Sequence, residues 1–226
     1  MRTCILLLLS LYVCYGYKFL VYSPIYGYSH TNFMGAIADT LTEAGHDVVI
    51  SKGVITEEKL MKQLRDEKFD VGISEALGMC GFGVFELAQI PASIATLSIV
   101  HKETVAAMIG ESVNPSYVPG PFSVSGDRMG FLDRIKNVLG VIVGETFFKG
   151  VFNGEEDAFR RIYGPQFKGH KQLIAESSYL MTNSNPYLDY PRPMLHKTVP
   201  IGGIAVSIDS KKNKLSKVSL KVFSAG

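Results

Sequence analysis

The sequence predicts an α/β fold: a parallel sheet with helices on both faces. Three observations carry this expectation. Short runs of β-prone apolar residues recur at 18–23, 47–50, 69–74 and 92–99. Stretches with helical periodicity separate them. The first two runs are joined through a helix, which is the βαβ unit of a parallel sheet. The composition suits such a fold. The chain has 226 residues, 46% hydrophobic and 19% charged, enough apolar material for a substantial core, and this excludes disorder as the overall state. Lysine and arginine total 23 against 21 acidic residues, a net charge of +2. Without a basic block interleaved with aromatics, no nucleic-acid partner is expected. The three cysteines form no CxxC and no Cys/His cluster, so no metal is expected.

The first residues read as an address. Met1-Arg2 is a short positive start, and Ile5 to Val13 is an apolar run. Cys14 and Gly16 are small residues flanking Tyr15, placed for a cut after Gly16. This is the pattern of a secretory signal peptide over 1–16, and the run is too short to span a bilayer. The mature chain is then expected in the secretory pathway or outside the cell, with Cys80 as its one cysteine and no transmembrane helix.

The elements follow in order. Lys18–Ser23 reads as the first strand, and Pro24–Tyr28 as a loop. Ser29, with Thr31 competing, is the expected cap of the next helix. The apolar face of that helix is Phe33, Met34, Ile37, Ala38 and Leu41. Gly45 stands at its C′ position, and Asp47–Ile50 is the second strand. Thr56-Glu57-Glu58 opens a helix that runs to about Lys68. Phe69–Ser74 is the third strand, Gly81–Gln89 a short helix, and Ala92–Ile99 the fourth strand. Residues 112–128, with Pro115, Pro119 and Pro121, form a loop. From Met129 to about Phe167 the pattern is helical, with breaks expected at Gly140, Gly144, Gly150 and Gly154. Its apolar residues, among them Phe131, Leu132, Ile135 and Phe147, read either as a core helix pair or as a surface for a membrane or a greasy ligand. Leu180–Asn183 and Thr198–Ile201 are the last strands, and a lysine-rich tail occupies 207–226.

In such sheets ligands bind beyond the carboxyl ends of the strands. The loops there hold His30, Glu75, Cys80, His101 and Glu103. His30 follows the first strand, and Glu75 ends the third, which is expected beside the first. A carboxylate on one ring nitrogen of a neutral histidine fixes the tautomer and stabilises imidazolium as it forms, which is the arrangement of a general base. The alternative is a capping histidine and an unrelated solvent-facing glutamate. Cys80 reads as a nucleophile or as a buried apolar residue. His46 reads as structural, and His170 and His196 fall in loops without evident acidic partners. The glycines of 78–83 lack the order of a phosphate loop.

Four stretches then act together: YKFLVYSPIYGYSHTNFMGAIADTLTEAGHDVVI (17–50), FDVGISEALGMCGFGVFELAQIP (69–91), NPSYVPGPFS (114–123) and NSNPYLDYPRPMLHKTVPIGGI (183–204). They resemble the N-terminal half of the UDP-glucuronosyltransferases and related UDP-glycosyltransferases, most closely the nematode members. The resemblance covers nearly all of the chain after residue 16. It implies the GT-B fold, two Rossmann-like domains facing across a cleft, with 17–206 as a Rossmann-like acceptor-binding domain. It also implies inverting transfer of a sugar, glucuronate, from a UDP-sugar to a small lipophilic hydroxyl acceptor in the lumen of the endoplasmic reticulum. UDP-glucuronate is the implied co-substrate, with no other cofactor. His30 matches the family's catalytic base. Glu75 stands where the vertebrate pattern usually has Asp. Tyr28, Ser29, Cys80 and Tyr117 are expected near the acceptor.

Two departures from the family pattern are expected to matter. The join at 51–55 is shorter than in the family, so one strand–helix unit of the acceptor domain is expected to be missing. The donor-binding domain and the C-terminal membrane helix are expected to be absent. The alternative reading is therefore a catalytically inactive acceptor-binding or regulatory partner of full-length relatives, forming hetero-oligomers with them or touching a membrane peripherally.

Overall fold

A computed structural model describes residues 16–23, 27–51, 57–121, 123–126, 128–206 and 209. The expected signal peptide, apart from Gly16, and the lysine-rich tail, apart from Asp209, lie outside the described residues, as does the short join at 51–55 apart from Ser51. The elements run β1 (Lys18–Tyr22), α1 (Tyr28–Glu43), β2 (Asp47–Ser51), α2 (Glu58–Asp66), β3 (Val71–Glu75), α3 (Cys80–Leu87), β4 (Ala92–Leu97), α4 (Glu103–Met108), α5 (Phe131–Tyr163), α6 (His170–Ala175), β5 (Tyr179–Thr182) and β6 (Thr198–Pro200). All strand pairs are parallel, in the order β2-β1-β3-β4-β5-β6. This is the α/β sheet flanked by helices that the strand–helix alternation predicts.

Alternation along the strands divides the core into two layers. Phe19 and Val21 of β1 and Ile73 of β3 face α1, where they bury Phe33, Met34, Ile37 and Ala38. Leu20 and Tyr22 face the other way, onto Met61 and Leu64 of α2, Phe82 and Phe85 of α3, and Phe152 and Phe159 of α5. Burial on both faces is what makes the strands of a parallel sheet read as continuous apolar runs. Each fully buried Leu or Phe contributes on the order of 1.5–3 kcal/mol. The glycines around Cys80 serve this packing. A Cβ on Gly81 would meet Ser74 Oγ at 2.0 Å, and one on Gly83 would meet the Phe159 ring at 2.4 Å. The glycine-rich run thus lets α3 lie close on β3 and α5.

Several expectations are corrected. Neither Ser29 nor Thr31 caps α1, which begins at Tyr28 behind Gly27 with no side-chain cap. The Thr31 hydroxyl instead donates back to the Gly27 carbonyl at 3.3 Å. Gly45 does end the helix in the left-handed region, at φ +87°. The segment expected to break at its glycines is one helix, α5, of 33 residues. Each glycine costs roughly 1 kcal/mol relative to alanine, and burial of Phe152 and Phe159 offsets that. The core-helix-pair reading fails for the first half of α5. Phe131, Leu132, Ile135, Leu139, Ile142, Val143 and Phe147 are exposed, while Asn137, Val141 and Gly144 form its buried stripe. Helices α4 and α6, six residues each, were not expected. Among the described residues no helix is long and apolar enough to cross a membrane.

Candidate active site

The strand order reverses between β1 and β3: the chain goes from β1 outward to β2, then returns to place β3 on the other side. A crevice outside the carboxyl ends of the strands is characteristic of such a switch point. His30, in the first turn of α1 after β1, and Glu75, the last residue of β3, meet there. His30 Nδ1 lies 2.9 Å from Glu75 Oε1 and 2.8 Å from Oε2. The Glu75 side chain is fully buried, and that of His30 is 19% exposed. The extra methylene of glutamate is accommodated at the strand end.

Ser98, just beyond β4, completes the arrangement. Its backbone N–H donates to Glu75 Oε1 at 3.0 Å, and its hydroxyl donates to the same oxygen. Ser98 Oγ also lies 2.7 Å from His30 Nδ1. Asn183, just beyond β5, donates its side-chain N–H to the Ser98 carbonyl at 2.9 Å. Neither residue carries a signal that sequence reasoning used; their one mark is position, directly after a strand at the same edge of the sheet.

The other expected residues are distributed differently. Tyr28 and Ser29 open α1 and are exposed, Tyr28 on the helix face away from the core. Tyr117 is partly exposed in the loop between α4 and α5. Cys80 starts α3, half-buried. Burial pushes its thiol up to about 12, and the charge and hydrogen bond of Glu155 add to the shift. A thiol held so far above physiological pH is a poor nucleophile, so these surroundings do not favour the nucleophile reading of Cys80.

His101 and Glu103 belong to a second, buried polar cluster. His101 Nε2 lies 2.5 Å from Glu111 Oε2. Glu111 Oε1 accepts from the Leu195 N–H at 2.8 Å and from the Thr198 hydroxyl at 2.5 Å. Arg192 reaches Asp189 at 2.9 Å and Glu103 at 3.4 Å. This cluster fastens the DYPRP stretch to the loops beyond β4. His46 accepts the Tyr17 N–H on Nδ1 at 3.2 Å and meets the Phe19 ring in a tilted contact at 5.2 Å, which suits the structural reading. The expectation that His170 lacks an acidic partner is corrected: its Nδ1 lies 2.7 Å from Glu156 Oε2, across the turn between α5 and α6. The glutamate sits fourteen residues upstream in sequence, which hid the pairing. Among the described residues no group of three or more His, Cys, Asp or Glu is placed to hold a metal ion.

A parallel α/β sheet with a histidine and a buried carboxylate in contact at its switch point defines a doubly wound domain with a polar pair at its strand ends. The chain belongs to the family described as UDP-glucoronosyl and UDP-glucosyl transferase, whose model matches residues 20–222. It is 29% identical to UDP-glucuronosyltransferase 2B17 of Mus musculus over 157 residues, 69% of this chain and 29% of that protein. It is 28% identical to UDP-glucuronosyltransferase 2B10 of Homo sapiens over 155 residues, 68% of this chain and 29% of that protein. With ugt-47 of Caenorhabditis elegans it shares 25% over 275 residues, 91% of this chain and 51% of that protein. The chain therefore spans about a third to a half of the length of the curated relatives it matches. The nematode match is longer than the whole 226-residue chain, so that relative carries residues inside the matched span that this chain lacks. The transcription regulator CcpA of Lactococcus lactis, at 7% identity and a TM-score of 0.32 over 75% of this chain and 69% of that chain, carries no argument.

Proposed function

We infer that the chain serves sugar transfer from a UDP-sugar, with glucuronate the sugar that the relatives' names indicate, to a small lipophilic hydroxyl acceptor. His30 acts as general base and Glu75 as its partner. The observation that carries this reading is the 2.8 Å contact between His30 Nδ1 and the buried Glu75 carboxylate at the switch point. With Nδ1–H donated to Glu75, Nε2 holds the basic lone pair. It takes the acceptor's hydroxyl proton as that oxygen bonds to the anomeric carbon. The carbon–oxygen bond to UDP breaks from the opposite side, and the diphosphate leaves with the electron pair, inverting the centre. Glu75 stabilises the imidazolium formed in that step. By the family resemblance the UDP-sugar sits on a second Rossmann-like domain, and transfer needs both reactants oriented together. The signal-peptide pattern of 1–16 supports the secretory lumen as the place of action.

The test is UDP release from UDP-glucuronate with a panel of phenols and steroids, using the whole chain and His30→Ala beside it. His30→Ala is expected to lose activity by about 10²–10⁴-fold, the usual contribution of a positioned base. Undiminished turnover in His30→Ala would remove His30 from the mechanism.

One observation favours a second reading, an acceptor-binding or regulatory subunit that works against a surface. The exposed apolar face of α5 is bordered by Arg128 and Lys136, both exposed, and by Lys149, which pairs with Glu145 at 3.4 Å. An apolar strip with a basic border suits peripheral contact with an anionic lipid surface. No turnover, with folded chain binding phenolic acceptors, would favour this reading; co-purification with a full-length relative would specify the partner instead.

A further inference from the structure

We propose that Ser98 is a positioning residue for the His30–Glu75 pair, and that Asn183 holds Ser98 in register. The inference rests on the reading of that pair as the proton acceptor. A glutamate at the end of a strand has one more torsion than an aspartate, so its carboxylate needs an external fix to stay against the ring. Ser98 supplies that fix with two donors, its N–H at 3.0 Å and its hydroxyl, both on Oε1. The carboxylate is thereby held with Oε2 at 2.8 Å and Oε1 at 2.9 Å from His30 Nδ1.

The placement follows from the sheet. Parallel pairing sets Glu75 opposite Thr96, so Ser98 stands two residues further along, beside the carboxylate. The pairing of β4 with β5 sets Leu97 opposite Thr182, which puts Asn183 beside Ser98. Asn183 grips the chain on both sides of Ser98: its backbone N–H donates to the Leu97 carbonyl at 2.8 Å and the Ile99 carbonyl at 3.2 Å. Its side-chain N–H takes the Ser98 carbonyl between them. Hydrogen bonds therefore run across the ends of β5, β4 and β3 to the first turn of α1.

The bond directions also fix the tautomer. The Ser98 hydroxyl has one proton, which goes to Glu75 Oε1, so its oxygen can only accept from the ring nitrogen 2.7 Å away. Ring, hydroxyl and carboxylate close into one set when Nδ1 carries the proton and Nε2 does not. Ser98 thus biases His30 toward the form in which Nε2 is the base.

Long-range proton–nitrogen NMR on the whole chain with labelled histidine reads which ring nitrogen is protonated. His46, whose Nδ1 accepts the Tyr17 N–H, has the opposite tautomer and reports the fold. The wild-type His30 signal is expected in the Nδ1–H form. Ser98→Ala should move the tautomer ratio toward Nε2–H by roughly fivefold, the scale of one net hydrogen bond. Ser98→Thr, which keeps the hydroxyl, should restore it, and Asn183→Ala should shift it the same way by less. Unchanged His30 signals in Ser98→Ala, with Glu75→Gln shifting them, would overturn the role of Ser98 while leaving the pair intact. Unchanged signals in both variants, or a wild-type ring in the Nε2–H form, would overturn the pair as well. If Ser98→Ala loses the His46 signature, the comparison of Asn183→Ala with Ser98→Thr decides: equal His30 signals in those two overturn the proposal.

Discussion

Cys80 and His30 stand beyond the neighbouring strands β3 and β1. Burial and the nearby Glu155 push the Cys80 thiol up to about 12, and burial does the same to the Tyr22 hydroxyl. An ordinary thiol near 8.5 is about a quarter thiolate at pH 8. Iodoacetamide labelling of Cys80 in the folded chain should therefore run about three orders of magnitude slower than in the urea-unfolded chain, as read by mass spectrometry of the Cys80 peptide. Comparable rates would mean that the thiol is not shielded. Glu156 gives a pH dependence. Burial works upward on its carboxyl, but the His170 N–H and ring and the Arg160 charge outweigh this and hold it below the ordinary value of 4.5. Its ionised form stabilises the fold fully above that value, and the contribution is lost as pH falls through the lower folded value. Glu156→Gln should lose less stability than the parent between about pH 6 and pH 3, measured by urea unfolding; equal losses would remove Glu156 from the acid response. At this scale His30 and Glu75 were legible because rare ionisable residues at two strand ends stand out. Ser98 and Asn183 were not, since serine and asparagine after a strand are ordinary loop residues. Their role depends on which strands become neighbours.

The elements show where local pattern succeeds and where it fails. β1 and β3 are legible because burial on both faces leaves each as an apolar run between polar turns, and the edge strand β2 shows as a short β-branched run after a helix C-terminus. α4 and α6 escaped notice because one or two turns hold too few residues to show a period. The reading of α5 failed in a more instructive way. Glycine lowers helix propensity, yet Gly140, Gly150 and Gly154 sit within a continuous helix because its second half is anchored by aromatic packing. Phe159 is fully buried and stacks on Phe167 at a centroid distance of 4.9 Å, whereas Phe147 is 61% exposed. Phe159→Ala should therefore cost about 3–5 kcal/mol, and Phe147→Ala on the same helix about 0.5 kcal/mol or less. Urea unfolding of both variants checks the contrast, and similar costs would contradict the packing. The exposed face makes its own prediction. Flotation with vesicles of mixed neutral and anionic lipid should recover the chain, and Leu139→Glu with Ile142→Glu should abolish recovery without changing the fold. Recovery unaffected by these charges would exclude α5 as the contact.

Across the whole molecule, the switch-point order places the functional groups of four strand ends at one edge, while the two core layers hold the sheet from both sides. The strand order has a further consequence, for the sequence of assembly. β1 through β4 are contiguous in the chain up to residue 97, and each pairs with a strand close by in sequence. β5 must find β4 across the excursion that contains α4, α5 and α6, from residue 98 to residue 178. Closing that span costs chain entropy before any sheet contact rewards it. The β5–β6 edge is therefore expected to form later than β1 and β3 and to open at lower free energy. In native-state hydrogen exchange the amides of Leu180 and Thr182 should lose protection by a sub-global route, while those of Leu20 and Ile73 exchange only by global unfolding. His30 and Glu75 come together within the early unit, but Asn183 arrives with the late one. A chain leaving the ribosome would hold its histidine and carboxylate side by side well before the last strand locks them.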